Sequence, residues 1–93
     1  MNAKLKLDEA LVMNIICPQS KRELEITDHL VKGLKLVVTR LGRKTWLFRY
    51  VSNGTKRAMK LGNYPELRLA DARVIAASKN DLLTIGKDPQ HER

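Results

Sequence analysis

Polar and apolar positions alternate through the middle of the chain. Leu34–Arg40 (LKLVVTR), Lys44–Val51 (KTWLFRYV) and Thr55–Leu61 (TKRAMKL) each repeat with a period of two and are rich in β-branched or aromatic residues, which predicts three strands. Asn53-Gly54 separates the last two, a strong signal for a type I′ hairpin turn. That turn fixes a register in which Ser52 faces Thr55, Tyr50 faces Arg57, Phe48 faces Met59 and Trp46 faces Leu61. Apolar residues meet apolar ones, so the register is self-consistent. A three-residue loop ending at Gly42 joins the first two strands and keeps Leu34, Leu36 and Val38 on the same apolar face. Arg22–Thr27 (RELEIT) also alternates, with Leu24 and Ile26 on one side, and predicts a short extra strand.

On either side of these strands the period lengthens. Asp8 suits an N-cap and Glu9 the first turn of a helix. Leu7 and Val12 suit a hydrophobic staple, and Leu11, Val12, Ile15 and Ile16 form an apolar stripe that Pro18 ends. A second helix starts at Leu69, carries Ala72, Ile75, Ala76, Leu82 and Leu83 inward, and stops at Gly86. Gly62 lets the chain leave the last strand and Pro65 sets the turn, with Tyr64 under the sheet edge. The helix thereby swings over the Trp46/Phe48/Met59 face. The expected architecture is α+β: a small three-stranded antiparallel sheet plus a short extra strand, with an N-terminal and a C-terminal helix packed on one face. Residues 1–86 are expected to form one domain, and 87–93 the start of a linker.

One helix cannot cover both faces. The other face carries Lys35, Val37, Thr39, Thr45, Leu47, Arg49, Val51, Lys56, Ala58 and Lys60, and it is expected to be basic and free of acids. Charge sharpens this picture. The 93 residues carry a net charge of +8. Between His29 and Pro65 stand nine bases and no acid, while the remainder holds nine bases against ten acids. The central stretch thus carries the whole net charge. Solubility does not require the exclusion of acids, and one-sign patches usually steer a partner, here a polyanion such as nucleic acid or an anionic membrane. Arg49, central on the middle strand, is the first choice for a base contact. Lys35, Thr39, Thr45, Lys56 and Lys60 are further candidates, since Arg, Lys and Thr can all reach base edges. Arg40, Arg43 and Lys44 cluster at a hairpin end, where phosphates are the target. Arg57 points at Tyr50, which suits a structural cation–π contact. The basic segment Asn2–Lys6 and the Arg68 end of the second helix are alternative reading elements.

Other chemistry finds little support. Cys17 is the only cysteine, so no disulfide forms within the chain, as suits a cytoplasmic protein. His29 and His91 do not stand at metal-ligand spacing with it, and no phosphate-binding loop is present. No cofactor is expected. No run approaches the ~18 apolar residues of a membrane span. Tyr50 faces the core and Tyr64 sits in a turn, so neither suits a nucleophile. Trp46 and Phe48 share a face with Leu36 and Met59, which assigns them to the core and not to stacking on single-stranded bases. An interaction module is the competing reading, with Val37, Leu47, Val51 and Ala58 docking another protein domain; the one-sign charge argues for DNA.

Lys60–Arg73 (KLGNYPELRLADAR) resembles the LG-x-YP-x-x-x-LA-x-AR signature of the N-terminal arm-type DNA-binding domain of phage and genomic-island tyrosine integrases. DHLVKGLKLVV before the strands, KTWLFRY in the middle strand and GKDP after the last helix follow in the family's order, over about residues 5–90. The resemblance implies a small antiparallel sheet braced by helices, which binds double-stranded DNA at arm-type repeats flanking an attachment core. It also implies core-binding and catalytic domains beyond the GxDP linker, and partners among other integrase protomers or accessory proteins. The chain ends at that linker, so it is expected to be a non-catalytic domain of a larger recombinase. Arg68 stands where family members often carry a capping Ser or Thr, which leaves the second helix without its usual N-cap.

Overall fold

The computed structural model describes residues 3–4 and 6–90. Of the basic N-terminal segment, Asn2 and Leu5 lie outside the described residues, as does His91. The elements in chain order are β1 (Ala3–Lys4), α1 (Glu9–Asn14), β2 (Glu23–Thr27), β3 (Leu34–Thr39), β4 (Lys44–Ser52), β5 (Thr55–Tyr64) and α2 (Leu69–Thr84). The class is α+β, as expected. The extra strand is a full member of the sheet: β2 to β5 form a four-stranded antiparallel meander, and the two-residue β1 adds to β2 in parallel.

Asn53 and Gly54 both take positive φ, 52° and 76°, as a type I′ turn demands. The register follows as read: Ser52 opposite Thr55, Tyr50 opposite Arg57, Phe48 opposite Met59. It then slips by one. Trp46 lies opposite Gly62, not Leu61, because Leu61 is the extra residue of a bulge between Trp46 and Leu47. Gly62 therefore does not end the strand; β5 runs on to Tyr64. Bulges add twist and bend a strand, and this one lies where the chain turns toward α2. A side chain at Gly62 would meet Leu67 Cδ2 at 3.0 Å, so the return turn packs directly on the strand. Leu67 also accepts a hydrogen bond from Trp46 Nε1 at 2.7 Å. The indole has no exposed surface, and this bond satisfies its one donor.

The core lies between the sheet and the helices. Trp46, Phe48, Ile26, Leu34, Leu36 and Val38 from the strands meet Val12 from α1 and Leu69, Ala72 and Ala76 from α2. Ile16, assigned to the α1 stripe, is instead exposed, because the helix ends at Asn14 and Ile15 is already extended.

The two helices complete each other's ends. Asp8 Oδ1 accepts from Leu11 N at 2.7 Å, the expected cap. Arg68 makes no side-chain cap bond on α2. Glu9 supplies the missing acceptor: its Oε1 takes the Leu69 N–H at 3.1 Å. Beyond α2, Lys87 N donates to Leu82 O and Gly86 N to Leu83 O, the paired bonds of a Schellman motif. A buried ion pair ties the remaining joints. Asp28, 4% exposed, accepts from Arg73 Nη2 and Nε at 2.9 and 3.1 Å and from Val31 N at 3.1 Å. Arg73 Nη2 also donates to Leu7 O at 2.9 Å. One guanidinium thus joins α2, the β2–β3 connection and the segment before α1.

Candidate nucleic-acid interface

Both helices lie on the Trp46 side of the sheet, so the opposite face is open. Lys35 faces Leu47, Val37 faces Thr45, Leu47 faces Lys60, Arg49 faces Ala58 and Val51 faces Lys56. This is the side-chain set the alternation predicted. The exclusion of acids fails, however, because β2 belongs to the same face. Glu23 pairs with Thr39 and Glu25 with Val37, so two carboxylates border the basic strands. The sequence carried the sign of this, since Leu24 and Ile26 on the apolar side put Glu23 and Glu25 on the other.

Arg49 aside, the predicted residues divide into three groups. Lys56 and Lys60 stand exposed on edge strand β5, and Arg40 and Arg43 are exposed at the β3–β4 loop. Lys35, Thr39 and Thr45 are half-buried on the open face with local bonds. Lys35 Nζ donates to Thr27 Oγ1 at 2.8 Å, Thr39 Oγ1 accepts from Arg43 N at 3.1 Å, and Thr45 Oγ1 lies 3.1 Å from Asn63 Oδ1. Lys44 lies on the other side. It pairs with Val38 and Tyr64 on the core face, and its Nζ donates to Val12 O and Met13 O, both at 2.7 Å. The ammonium thereby caps the carbonyl end of α1, where the helix dipole favours a cation, and it sits 5.6 Å from the centroid of the Tyr64 ring.

Arg49 is the most constrained cation on the open face. Its Nε and Nη2 donate to Glu25 Oε2 and Oε1 at 2.9 and 2.8 Å, reaching from β4 over β3 to β2. The Glu25 hydrogen bonds, chiefly, raise its pKa above the ordinary guanidinium value. It stays charged under all ordinary conditions. At the near end of the sheet, Lys32, Lys35, Arg49, Lys56 and Arg57 line a common cleft against the end of α2.

Arg57 does not make the expected cation–π contact. Its Nε lies 3.6 Å from Asp88 Oδ2. The same carboxylate accepts the Tyr50 hydroxyl at 2.7 Å, and Gln90 Nε2 donates to that hydroxyl at 2.9 Å. The Tyr50 ring stacks on Phe48 with centroids 5.5 Å apart, and Pro89 is fully buried. GKDP is therefore packed onto the sheet at its Asp and Pro. Burial first, then the bond to Asp88, raises the Tyr50 pKa; a hydroxyl so held is far from the deprotonated form a nucleophile needs. Among the described residues no cluster of His, Cys, Asp and Glu suits a metal, and no helix is long and apolar enough to cross a membrane.

Comparison with known proteins finds integrases. The chain is 38% identical over 72 residues to prophage integrase IntZ of Escherichia coli K12, covering 77% of this chain and 18% of that protein. It is 40% identical over 63 residues to prophage integrase IntA of the same organism, covering 66% and 15%. To the integrase of Shigella phage Sf6 it is 35% identical over 57 residues, covering 61% and 15%. The chain thus aligns with less than a fifth of the length of each. A family profile described as an Arm DNA-binding domain matches residues 4–93, almost the full length, and the chain belongs to that family.

Proposed function

We propose that this chain binds double-stranded DNA sequence-specifically at arm-type sites, through the open face of its sheet, and performs no cleavage itself. The observation that carries the reading is the division of the sheet. One face is filled by two helices, and the other presents Lys35, Arg49, Lys56 and Lys60 with no covering element among the described residues. Strands lie about 4.8 Å apart. The backbones of β3 to β5 therefore span about 10 Å, against a B-DNA major groove about 12 Å wide. All four antiparallel strands span about 14 Å, too broad to enter together. Arg49 on the central strand of the three reaches deepest and reads bases; Arg40 and Arg43 at the hairpin end lie over a rim and hold phosphates. Arm-type sites in a bacterial cell are the target that integrase relatives suggest, and strand exchange belongs to other domains of such a recombinase.

The test is a salt series on the wild-type chain, Arg49→Ala and Arg43→Ala, with a duplex selected from a randomised pool and a scrambled duplex. Arg49→Ala costs about 1–3 kcal/mol on the selected duplex and little on the scrambled one. Arg43→Ala weakens both alike and flattens the slope of log affinity against log salt by about one unit. Equal weakening of both duplexes by Arg49→Ala refutes readout by this face. Exposed Val51 favours a second reading, docking of a neighbouring integrase domain; a chain that binds neither duplex and self-associates would favour it.

A further inference from the structure

The Arg49–Glu25 bridge gains little as a stabilising device. Arg49 is 47% exposed and Glu25 18%, and ion pairs at a wet surface contribute little to folding. The bridge is also an odd presence on a face meant for a polyanion, since it sets a carboxylate among the cations. Its geometry suggests what it does instead. Glu25 takes the Nε and Nη2 edge of the guanidinium. A guanidinium holds five N–H donors in a rigid plane. Glu25 uses the Nε donor and one on Nη2. Both donors on Nη1 and the outer one on Nη2 are left over, and they form the end-on fork. That fork is the group that bonds guanine O6 and N7 in the major groove. A free arginine has many rotamers to give up before it can make such a contact. Here two bonds to β2, two strands away, have already fixed the plane. The bridge starts on β4, crosses β3 and ends on β2, so the sheet itself sets where the fork lies.

We propose that Glu25 is a positioning residue for DNA readout: it holds the Arg49 guanidinium side-on so that the free Nη1/Nη2 fork addresses one guanine. This rests on the reading of the open face as the DNA-binding surface. Two consequences follow. Glu25 weakens non-specific binding, because its charge opposes phosphates. It strengthens discrimination, because Arg49 is ordered before contact. Affinity for random DNA and selectivity then move in opposite directions when Glu25 is removed, which a purely structural or purely repulsive carboxylate would not produce.

The experiment uses the 93-residue chain and a duplex enriched by it from a randomised pool, together with every single-base-pair variant of that duplex. Wild type, Glu25→Ala, Glu25→Gln, Arg49→Ala and the double variant Glu25→Ala/Arg49→Ala are compared, with circular dichroism reporting the fold of each. Wild type discriminates one G·C pair by about 5- to 150-fold, the range of a bidentate arginine–guanine contact. Arg49→Ala loses that discrimination. Glu25→Ala loses most of it at the same pair only, while binding random duplex more tightly. Glu25→Gln is intermediate, since its amide oxygen accepts one N–H but its NH2 opposes the other. The double variant discriminates no worse than Arg49→Ala. If Glu25→Ala keeps full discrimination and merely tightens every duplex, Glu25 is a charge brake; the positioning role is overturned and the DNA-reading face stands. If wild type binds all duplexes equally, the reading of the face fails and the positioning role falls with it.

Discussion

Replacing Asp28 by Asn tests the joint that holds the two ends of the fold together. Asp28 has a fully buried side chain, while Arg73 is 23% exposed. The substitution keeps the shape and the acceptor for Val31 N, but removes the charge that Arg73 faces at 2.9 and 3.1 Å. Breaking one partner of a buried pair costs about 3–5 kcal/mol. Arg73 keeps its bond to Leu7 O and some access to water, so the lower end applies, about 3 kcal/mol. A domain of this size has a stability of about 5–14 kcal/mol. For such a domain 1 kcal/mol moves Tm by about 4–8 °C, so Asp28→Asn should melt about 12–24 °C lower. Thermal melts followed by circular dichroism measure it. The pair Asp28→Asn and Arg73→Met should be strongly non-additive, since each alone forfeits the same contact. A single variant melting within about 2 °C of wild type would show that the pair is not what holds α2 to the β2–β3 connection.

Lys44→Met and Arg43→Ala should separate two neighbouring cations: the first uncaps α1 and lowers Tm with little change in the salt slope of DNA binding, and the second changes the slope and leaves Tm alone. Gly33→Ala should destabilise the fold strongly, because φ there is +88° and a Cβ would meet Arg49 O at 2.7 Å and Phe48 Cε1 at 2.8 Å; chemical denaturation would register it, and an unchanged midpoint would contradict the close approach. The Tyr50 hydroxyl foremost holds the Asp88 pKa below the ordinary carboxylate value. A lowered carboxylate contributes stability above its unfolded pKa and loses it as pH falls through the folded one. Docking of residues 88–90 should therefore persist at neutral pH and release on acidification through that lowered range, and Tyr50→Phe should release it at neutral pH. Gln90 amide shifts in NMR spectra follow both; a Gln90 environment unchanged in Tyr50→Phe would contradict the anchor.

The strands were legible because β3, β4 and β5 alternate cleanly and Asn53-Gly54 leaves one register open. The caps at Asp8 and Gly86 were legible for a similar reason: each depends on a local backbone need that few residues meet. What escaped were choices made by distant partners. Nothing local marks Glu9 as the cap of a helix sixty residues away, or Arg73 as the partner of Asp28. The bulge at Leu61 escaped because counting from a turn assumes a regular ladder, and the Trp46 side chain is accommodated by Gly62 instead. Lys44 stands beside Arg40 and Arg43 in sequence, which suggests a shared phosphate role, although alternation with Trp46 puts it on the core face. Glu25 lies outside the acid-free stretch that begins at His29, yet β2 carries it to the border of the basic face.

DNA is expected to meet the open face of the sheet and not the helices. Methyl-labelled chain bound to a selected duplex measures this directly through intermolecular NOEs. Val51 is exposed on the open face, while Val74 and Ile85 are exposed in and just beyond α2, so each side has its own probe. NOEs are expected from the methyls of Val51, Ala58 and Leu47 to DNA protons, and none from Val74 or Ile85. NOEs from Val74 or Ile85, with Val51 and Ala58 silent, would contradict it.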